Sequence, residues 1–570
     1  MLDTFIYLSL IIVIALGISF IMRALKQPLI IAYILTGIVI SPFFLSAIGE
    51  SETILNFSHF GVAFLLFIVG LHLNPRVIKE VGFTSLIIGS IQIIFTAAAS
   101  FALSFYLLNF ALLPSLYICF ALTFSSTIII TKILSDKRDL DSLYGKITVG
   151  ILILQDLVVI ALLILLSYFS QGTGGAIPTN NIIYAGASIL GLFLASIFVL
   201  PSITKFIAKN QELLFLFAIG WCFLLASLFF QLGFSMEIGA LLAGMSLAIS
   251  PYHTEISAKV KPLRDFFLII FFILLGLQID LSNLSNILQI AIILSIFVIL
   301  FKLFIVLISM GIAGHKRRTS FFSAISLGQI SEFSFIIVAL GVTLGHILPE
   351  ISSIIVLTGL ITIASSTYLM DYLPQIYNIL SKPLKFFERK NAKEDKIPKK
   401  EFDLLLLGYN RIGFSILKSF KKLRKKYLVV DFNPETVKYL KSEGIPCIYG
   451  DAEDTEFLRD LNISSAELII STIPELEGGL LLLDKVRKRS KKTTVILTSH
   501  NIDDTFEFYK QGADYVIMPH FLGGEYTAKL IETLNTDREN YKQEREKQIQ
   551  TLRKRKQIGH EHPSVEKNHS

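Results

Sequence analysis

Thirteen apolar stretches divide the first 370 residues, near 4–22, 28–46, 58–73, 83–109, 113–134, 143–169, 182–207, 212–231, 236–250, 264–279, 284–311, 319–345 and 350–370. A hydrocarbon core of ~30 Å takes about 20 mostly apolar residues as a helix, so each stretch is read as a span, the ninth and tenth being short. Basic residues test the count. They follow span 1 (Arg23, Lys26), span 3 (Arg76, Lys79), span 5 (Lys132, Lys137, Arg138, Lys146), span 7 (Lys205, Lys209), span 9 (Lys259, Lys261, Arg264) and span 11 (Lys316, Arg317, Arg318). The N-terminus and the loops after spans 2, 4, 6, 8, 10 and 12 have none. A miscounted span would break this alternation, and the positive-inside rule then predicts an outer N-terminus and a cytoplasmic C-terminal part. The first stretch ends on its basic residues and has no small-residue cleavage site, so it reads as a retained span and not a signal peptide.

Composition agrees. The 570 residues are 53% hydrophobic and 17% charged, against about 25% charged in a soluble domain, which excludes a wholly soluble, disordered or collagen-like protein. Residues 1–381 hold 17 of the 52 Lys and Arg, and the remaining 35 follow. The net charge of +7 reflects cytoplasmic loops and predicts no nucleic-acid partner. Cys119, Cys222 and Cys447 are too far apart in sequence for a CxxC site or a disulfide framework.

Three ionisable residues sit where the bilayer centre should be: Asp156 in GILILQDLVVIALL, Lys302 in ILSIFVILFKLFIVLISM and Glu332 in SLGQISEFSFIIVAL. An ionised group there costs at least ~2.5–3.5 kcal/mol, so such groups face a partner or a water-filled path. A purely architectural ion pair is the competing reading. Span 5 gathers Thr123, Ser125, Ser126 and Thr127 at mid-depth, and span 12 gathers Gly328, Gln329, Ser331, Glu332 and Ser334. Hydroxyl and glycine clusters let a membrane helix break where it lines a cavity, and two interrupted helices point to inverted repeats with the substrate between them. A carboxylate, hydroxyls and freed carbonyls make a hard-oxygen site, suited to a dehydrated alkali cation or a competing proton. Asp156 is expected to bind either, with Gln155, Ser125, Ser126 and Thr127 supplying neutral oxygens. Lys302, Glu332 and Ser331 are expected to compensate charge, Lys302 and Glu332 neutralising the broken-helix ends or each other.

The polar stretch 382–401 reads as a linker. After it, the strand FDLLLLG leads into Gly408-Tyr409-Asn410-Arg411-Ile412-Gly413, a helical pattern, and a second strand ending at Asp431. This is a Rossmann unit in which the helix N-terminus receives phosphate and Asp431 takes ribose hydroxyls. Asn410 replaces the middle glycine and crowds the pyrophosphate position, which favours a mononucleotide such as AMP over NAD(H). Four more short strands, in PCIYGDAED, ELIISTIPE, TVILTSHN and ADYVIMPH, continue a parallel α/β pattern to about 520. The tail from Thr536 reads as a solvated helix fading into disorder.

Gln155-Asp156, Ser125–Thr127, Gly328-Gln329 and Ser331-Glu332-Phe333 in the spans resemble the cation:proton antiporter-2 superfamily. So do GYNRIG, Asp431-Phe432-Asn433-Pro434 and Tyr449-Gly450-Asp451-Ala452 in the polar part. The resemblance is to its Kef-type potassium:proton antiporters with a C-terminal regulator-of-conductance (TrkA-N-like) domain. It implies a transmembrane exchanger over 1–381, a linker over 382–401, a Rossmann-like regulatory domain over 402–520 and a charged helix and tail over 521–570. Electroneutral exchange of K+ for H+ across a prokaryotic cell membrane is implied, gated by AMP or NAD(H). The implied nucleotide contacts are Gly408–Gly413, Asp431, Asn433, Asp451 and Ala452. The resemblance further implies a homodimer in lipid, with room for an ancillary regulatory subunit, and no enzymatic activity. A Na+/H+ antiporter of the same fold is the alternative. A ligand-gated channel would need a filter loop such as TVGYG, which is absent from the sequence, and an NAD-dependent oxidoreductase would need more than 402–520 to hold its substrate.

Overall fold

Every one of the thirteen apolar stretches contains α-helix in the computed structural model. The structure describes the chain apart from residues 1, 50–51, 73–81, 138, 141, 170–187, 189–190, 193, 197, 233–235, 280–282, 389–401, 410–411, 451–456, 459–460, 462, 464–465, 536–537 and 558–570. The helices of the apolar part are α1 (Leu2–Ala24), α2 (Leu29–Gly49), α3 (Glu52–His72), α4 (Phe83–Ala102), α5 (Leu112–Thr123), α6 (Thr127–Asp136), α7 (Leu143–Phe169) and α8 (Leu200–Ile207). They continue with α9 (Gln211–Gln231), α10 (Met236–Leu247), α11 (His253–Leu277), α12 (Leu284–Ala313), α13 (Arg317–Ser326), α14 (Glu332–Thr343), α15 (Pro349–Asp371) and α16 (Leu373–Leu384). Among the described residues, length and apolarity single out six membrane-crossing helices: Phe83–Leu107, Leu112–Asp136, Leu143–Leu166, Gln211–Gln231, Leu284–Ala313 and Pro349–Asp371. The other apolar helices are shorter.

Two expectations shift. The tenth stretch begins eleven residues early, at His253, so Lys259, Lys261 and Arg264 lie within α11 and not in a loop. Long basic side chains keep their charged heads polar while their stems cover apolar surface, so they extend a helix without ending it. The expected linker starts as structure: α16 runs through Lys382 and Pro383 to Leu384, and a 3₁₀ turn follows over Lys385–Phe387.

The helices of this unit fall into two groups. In the first, α2 packs on α1 and α11, α3 on α10 and α11, and α9 on α10. Here backbones touch. A Cβ on Gly37 would lie 2.0 Å from the Ile273 oxygen, and one on Gly276 2.1 Å from that of Ile34. One on Gly244 would lie 2.0 Å from the Phe67 oxygen. Small residues at such crossings let membrane helices gain close van der Waals contact where apolar burial gives no drive. In the second group α4, α5, α12, α13, α14 and α15 pack on one another, and it contains both interrupted helices.

The chain divides into two compact units, one up to Asn391 and one from Ala392 onward, apart from Asp141–Leu143. The second unit holds β1 (Leu404–Leu407), α17 (Gly413–Leu423), β2 (Tyr427–Asp431), α18 (Pro434–Ser442), β3 (Cys447–Tyr449), β4 (Leu468–Ser471) and α19 (Leu476–Arg489). It ends with β5 (Thr494–Thr498), α20 (Ile502–Lys510), β6 (Tyr515–Ile517), α21 (Pro519–Leu534) and α22 (Arg538–Gln557). All six strands are parallel, in the order β3-β2-β1-β4-β5-β6. That is the doubly wound dinucleotide-binding order, whose switch point lies between β1 and β4. The central β1, Leu404–Leu407, is buried on both faces, as a sheet covered by helices on each side requires.

Candidate functional site

Spans 5 and 12 are both interrupted, and the two interruptions meet. The first break, Phe124–Ser126, separates α5 from α6, and the second, Leu327–Ser331, separates α13 from α14. Each break leaves backbone groups unpaired where water cannot serve them, so side chains must take over. Ser126 caps α6, its hydroxyl accepting from the Ile129 N–H at 3.2 Å, and Ser331 caps α14 by accepting from Phe333 at the same distance. The Ser125 hydroxyl donates to the Leu327 carbonyl at 2.9 Å and ties one break to the other.

Lys302 of α12 reaches this crossing fully buried. Its Nζ donates to the Phe124 carbonyl at 2.9 Å, the Ser125 hydroxyl at 3.1 Å and the Gln329 carbonyl at 2.8 Å. Three acceptors match the three N–H donors of an ammonium. Lys302 therefore serves the carbonyl ends of both breaks, where a positive charge also complements the helix dipole. Of the two expected arrangements, the structure has the helix-end one; the described residues contain no Lys302–Glu332 ion pair.

The carboxylates take the opposite pole. Both oxygens of Asp156, on α7, lie within reach of the Thr127 hydroxyl, at 3.1 and 3.0 Å. Glu332, the first residue of α14, lies against Ser126 and the Ile128 backbone. Ser126, Thr127 and Ile128 are the cap and first residues of α6, so two carboxylates converge on one half-helix N-terminus. There the exposed N–H groups and the positive dipole end favour negative charge. Asp156 keeps some accessible surface, whereas Glu332 is buried.

Gln155 is tied to the first break and to α4. Its Oε1 accepts from the Ser125 N–H at 2.8 Å and its Nε2 donates to Gln92 Oε1 at 2.6 Å. Gln92 Nε2 in turn donates to the Thr123 carbonyl at 3.1 Å. The amide pair thus satisfies the Thr123 carbonyl and the Ser125 N–H at the first break. Gln92 of α4 was missed in the sequence reading, although a lone amide inside IIGSIQIIFTAAA carries the same signal as Asp156.

In the second unit, the turn after β1 has Gly408 at φ +86°, a region that favours glycine. A Cβ on Gly413 would lie 2.2 Å from the Gly408 carbonyl oxygen, so α17 can start that close to β1 only with glycine there. Tyr409 is buried beneath the turn, and burial pushes its phenol up to about 12. Asp431, at the end of β2, is itself buried: Oδ2 accepts from the Tyr409 N–H and Oδ1 from the Asn433 N–H, each at 2.8 Å. Its oxygens are thus part of the turn's framework before any ribose arrives. Asn433 caps α18 by accepting from the Glu435 N–H at 2.9 Å. Ile412 precedes α17 as its cap residue. Asn410, Arg411, Asp451 and Ala452 lie outside the described residues.

The sodium/hydrogen exchanger transmembrane family model matches residues 9–370, and the TrkA-N domain model matches 404–519. The glutathione-regulated potassium-efflux system protein KefC of Escherichia coli strain K12 is 25% identical over 514 residues, covering 89% of this chain and 81% of that protein. Among solved structures, the sodium proton antiporter MjNhaP1 of Methanocaldococcus jannaschii is similar at 17% identity and a TM-score of 0.47, over 68% of this chain and 98% of that one. The TrkA-N domain of the inner membrane protein ybaL of Escherichia coli is similar at 20% identity and a TM-score of 0.23, over 24% of this chain and 99% of that one.

Proposed function

We propose, from the premise that this chain belongs to the sodium/hydrogen exchanger transmembrane family, that Asp156 is the group on which cation and proton alternate. Cation:proton exchange itself follows from the family, and the chain is a membrane antiporter and not an enzyme. The observation carrying the assignment is the Asp156 carboxylate at the crossing of the two breaks, partly accessible and held by the Thr127 hydroxyl. A dehydrated cation or a proton neutralises it equally well, and one excludes the other.

Lys302 bears on the stoichiometry. Its three donors are all engaged by acceptors of the two breaks, and we assign its proton no part in the cycle. With Lys302 and Glu332 keeping opposite charges throughout, one H+ exchanges for one monovalent cation and no net charge moves. We take K+ as the preferred cation, since the KefC relative is a potassium-efflux protein; Na+ is the competing ion.

The TrkA-N match supports nucleotide regulation. We assign an adenine mononucleotide to the turn Gly408–Gly413, with its ribose at Asp431. Dimer formation is assigned to α21, which has no buried residue and exposes Phe521, Tyr526 and Ile531.

The test is dequenching of a pH-sensitive dye in proteoliposomes, with K+ or Na+ added to wild type and to Asp156→Asn. Loss of all cation-driven proton flux in a folded Asn variant is expected. Wild-type flux in that variant would remove Asp156 from the mechanism.

A further inference from the structure

The second break holds polar atoms that its own architecture does not use. Lys302, Ser125 and Ser331 account for the backbone at Leu327, Gln329 and Phe333, and the Thr362 hydroxyl accepts from Ile330 N at 3.4 Å. The Gln329 side chain is fully buried, yet both its Oε1 and its Nε2 have no hydrogen-bond partner among the described residues. Glu332 Oε2, three residues on and also buried, has none either. Leaving a buried polar atom unpaired is costly, more so for a charged group. Two such side chains at i and i+3, one in the break and one opening α14, are therefore an expensive feature for a helix that needs only caps. Gln92 and Gln155 make the contrast: equally buried amides of the same crossing, they are engaged through both ends.

Glu332 lies beside the exchanging carboxylate, and Gln329 lies in the break next to it, its carbonyl sharing Lys302 with the Ser125 hydroxyl. Glu332 faces Ser126 and Ile128, and Asp156 faces the intervening Thr127. The two carboxylates come from different helices and meet at the same half-helix start. An alkali cation stripped of its shell needs several oxygens, and Asp156 with the Thr127 hydroxyl supplies too few.

We infer that Gln329 and Glu332 are cation ligands: Oε1 of the amide and Oε2 of the carboxylate complete, from the second broken helix, the coordination that Asp156 begins from α7. This rests on the exchange reading above and adds to it. Glu332 keeps its negative charge throughout the cycle and balances Lys302. Asp156 alone gains and loses the proton. The amide oxygen fixes the ion without adding charge, so it sets affinity and selectivity and leaves the stoichiometry alone.

Gln329→Met separates this from packing. It keeps the length of the side chain and removes the unpaired polar atoms, so if Gln329 only fills space the variant melts higher than wild type and its K+ dependence is unaltered. The inference expects a melting temperature at or above wild type together with an apparent KM for K+ raised about tenfold, the loss of one good ligand. Thermal stabilisation by added KCl should fall in parallel. Glu332→Gln should raise the KM further, with the maximal proton flux at saturating K+ less affected than the KM. Full-length wild type, Gln329→Met and Glu332→Gln are compared in the same proteoliposomes, and their melting in detergent is followed with and without KCl. Unaltered KM and unaltered KCl stabilisation in both variants would overturn the inference, as would failure of both to fold. Absence of K+-driven flux in the wild type would instead overturn the exchange reading beneath it.

Discussion

Replacing Lys302 by Met leaves the Phe124 and Gln329 carbonyls and the Ser125 hydroxyl without their donor, deep among packed helices. Exchanging a buried charge for an apolar side chain is neutral or stabilising when both partners of an ion pair go together. Here the partners are backbone carbonyls of two broken helices, and no substitution removes them. Each abandoned acceptor costs about 1–3 kcal/mol, so the two carbonyls together cost roughly 2–6 kcal/mol. One kcal/mol moves Tm by about 2–4 °C in a domain of 150–250 residues and by less in a larger one. The expected fall is then on the order of 5 °C, read by fluorescence-detected melting of the full-length protein in detergent. Lys302→Arg keeps the charge but presents a planar fork to acceptors arranged around a point, and should recover only part of the loss. A Lys302→Met variant melting within about 1 °C of wild type would refute the reasoning, because the breaks would then be satisfied without the lysine.

Exchange should be electroneutral: in vesicles held at opposite membrane potentials, K+-driven proton flux should be equal, and a sustained current would show that a second charge moves. Asp431→Ala should weaken adenine nucleotide binding to the full-length protein by about tenfold or more. It should also lower the melting temperature without nucleotide, since the Tyr409 and Asn433 N–H groups lose their acceptors. Gly413→Ala places a methyl 2.2 Å from the Gly408 carbonyl and should abolish nucleotide binding; retained wild-type affinity would show that the turn opens at little cost. Phe521→Asp together with Ile531→Asp should convert a detergent-solubilised dimer to monomer on light scattering, and an unchanged mass would remove α21 from the interface.

The pattern of apolar helices and strands was legible because it depends on periodicity and composition. The six β-strands fall within the stretches predicted, and the two breaks fall where hydroxyls and glycine gather. What the sequence concealed was who serves whom. Gln155 and Asp156 are neighbours in the chain, yet one supports backbone and the other stays available. That difference follows from helix geometry, which sends adjacent side chains about 100° apart, and from what each then meets. Lys302 read equally well as a partner for Glu332 or for helix ends, because a lone charge in an apolar run names no partner. Asp431 read as a ribose ligand, while its bonds to Tyr409 and Asn433 depend on how the loops after β1 and β2 fold back, which spacing alone does not determine.

The glycine contacts of the first helix group bear on how fast the carrier can turn over. Where Gly37 and Gly276, or Gly70 and Gly244, bring backbones together, there is no side chain to change rotamer, and sliding would drive atoms into one another. The border with the second group is of another kind: Phe272 of α11 meets Phe335 of α14 edge to face, with ring centroids 5.9 Å apart. Rings and aliphatic chains can trade places along such a seam in small steps, as packed helices do in shear motions. Cysteine cross-links between α2 and α11 should therefore leave turnover intact, while one between α11 and α14 should arrest it. The rate would then be set by friction along an aromatic seam, and lubricating it, by trimming Phe272 to Leu, would change the speed of the machine without touching a single ion ligand.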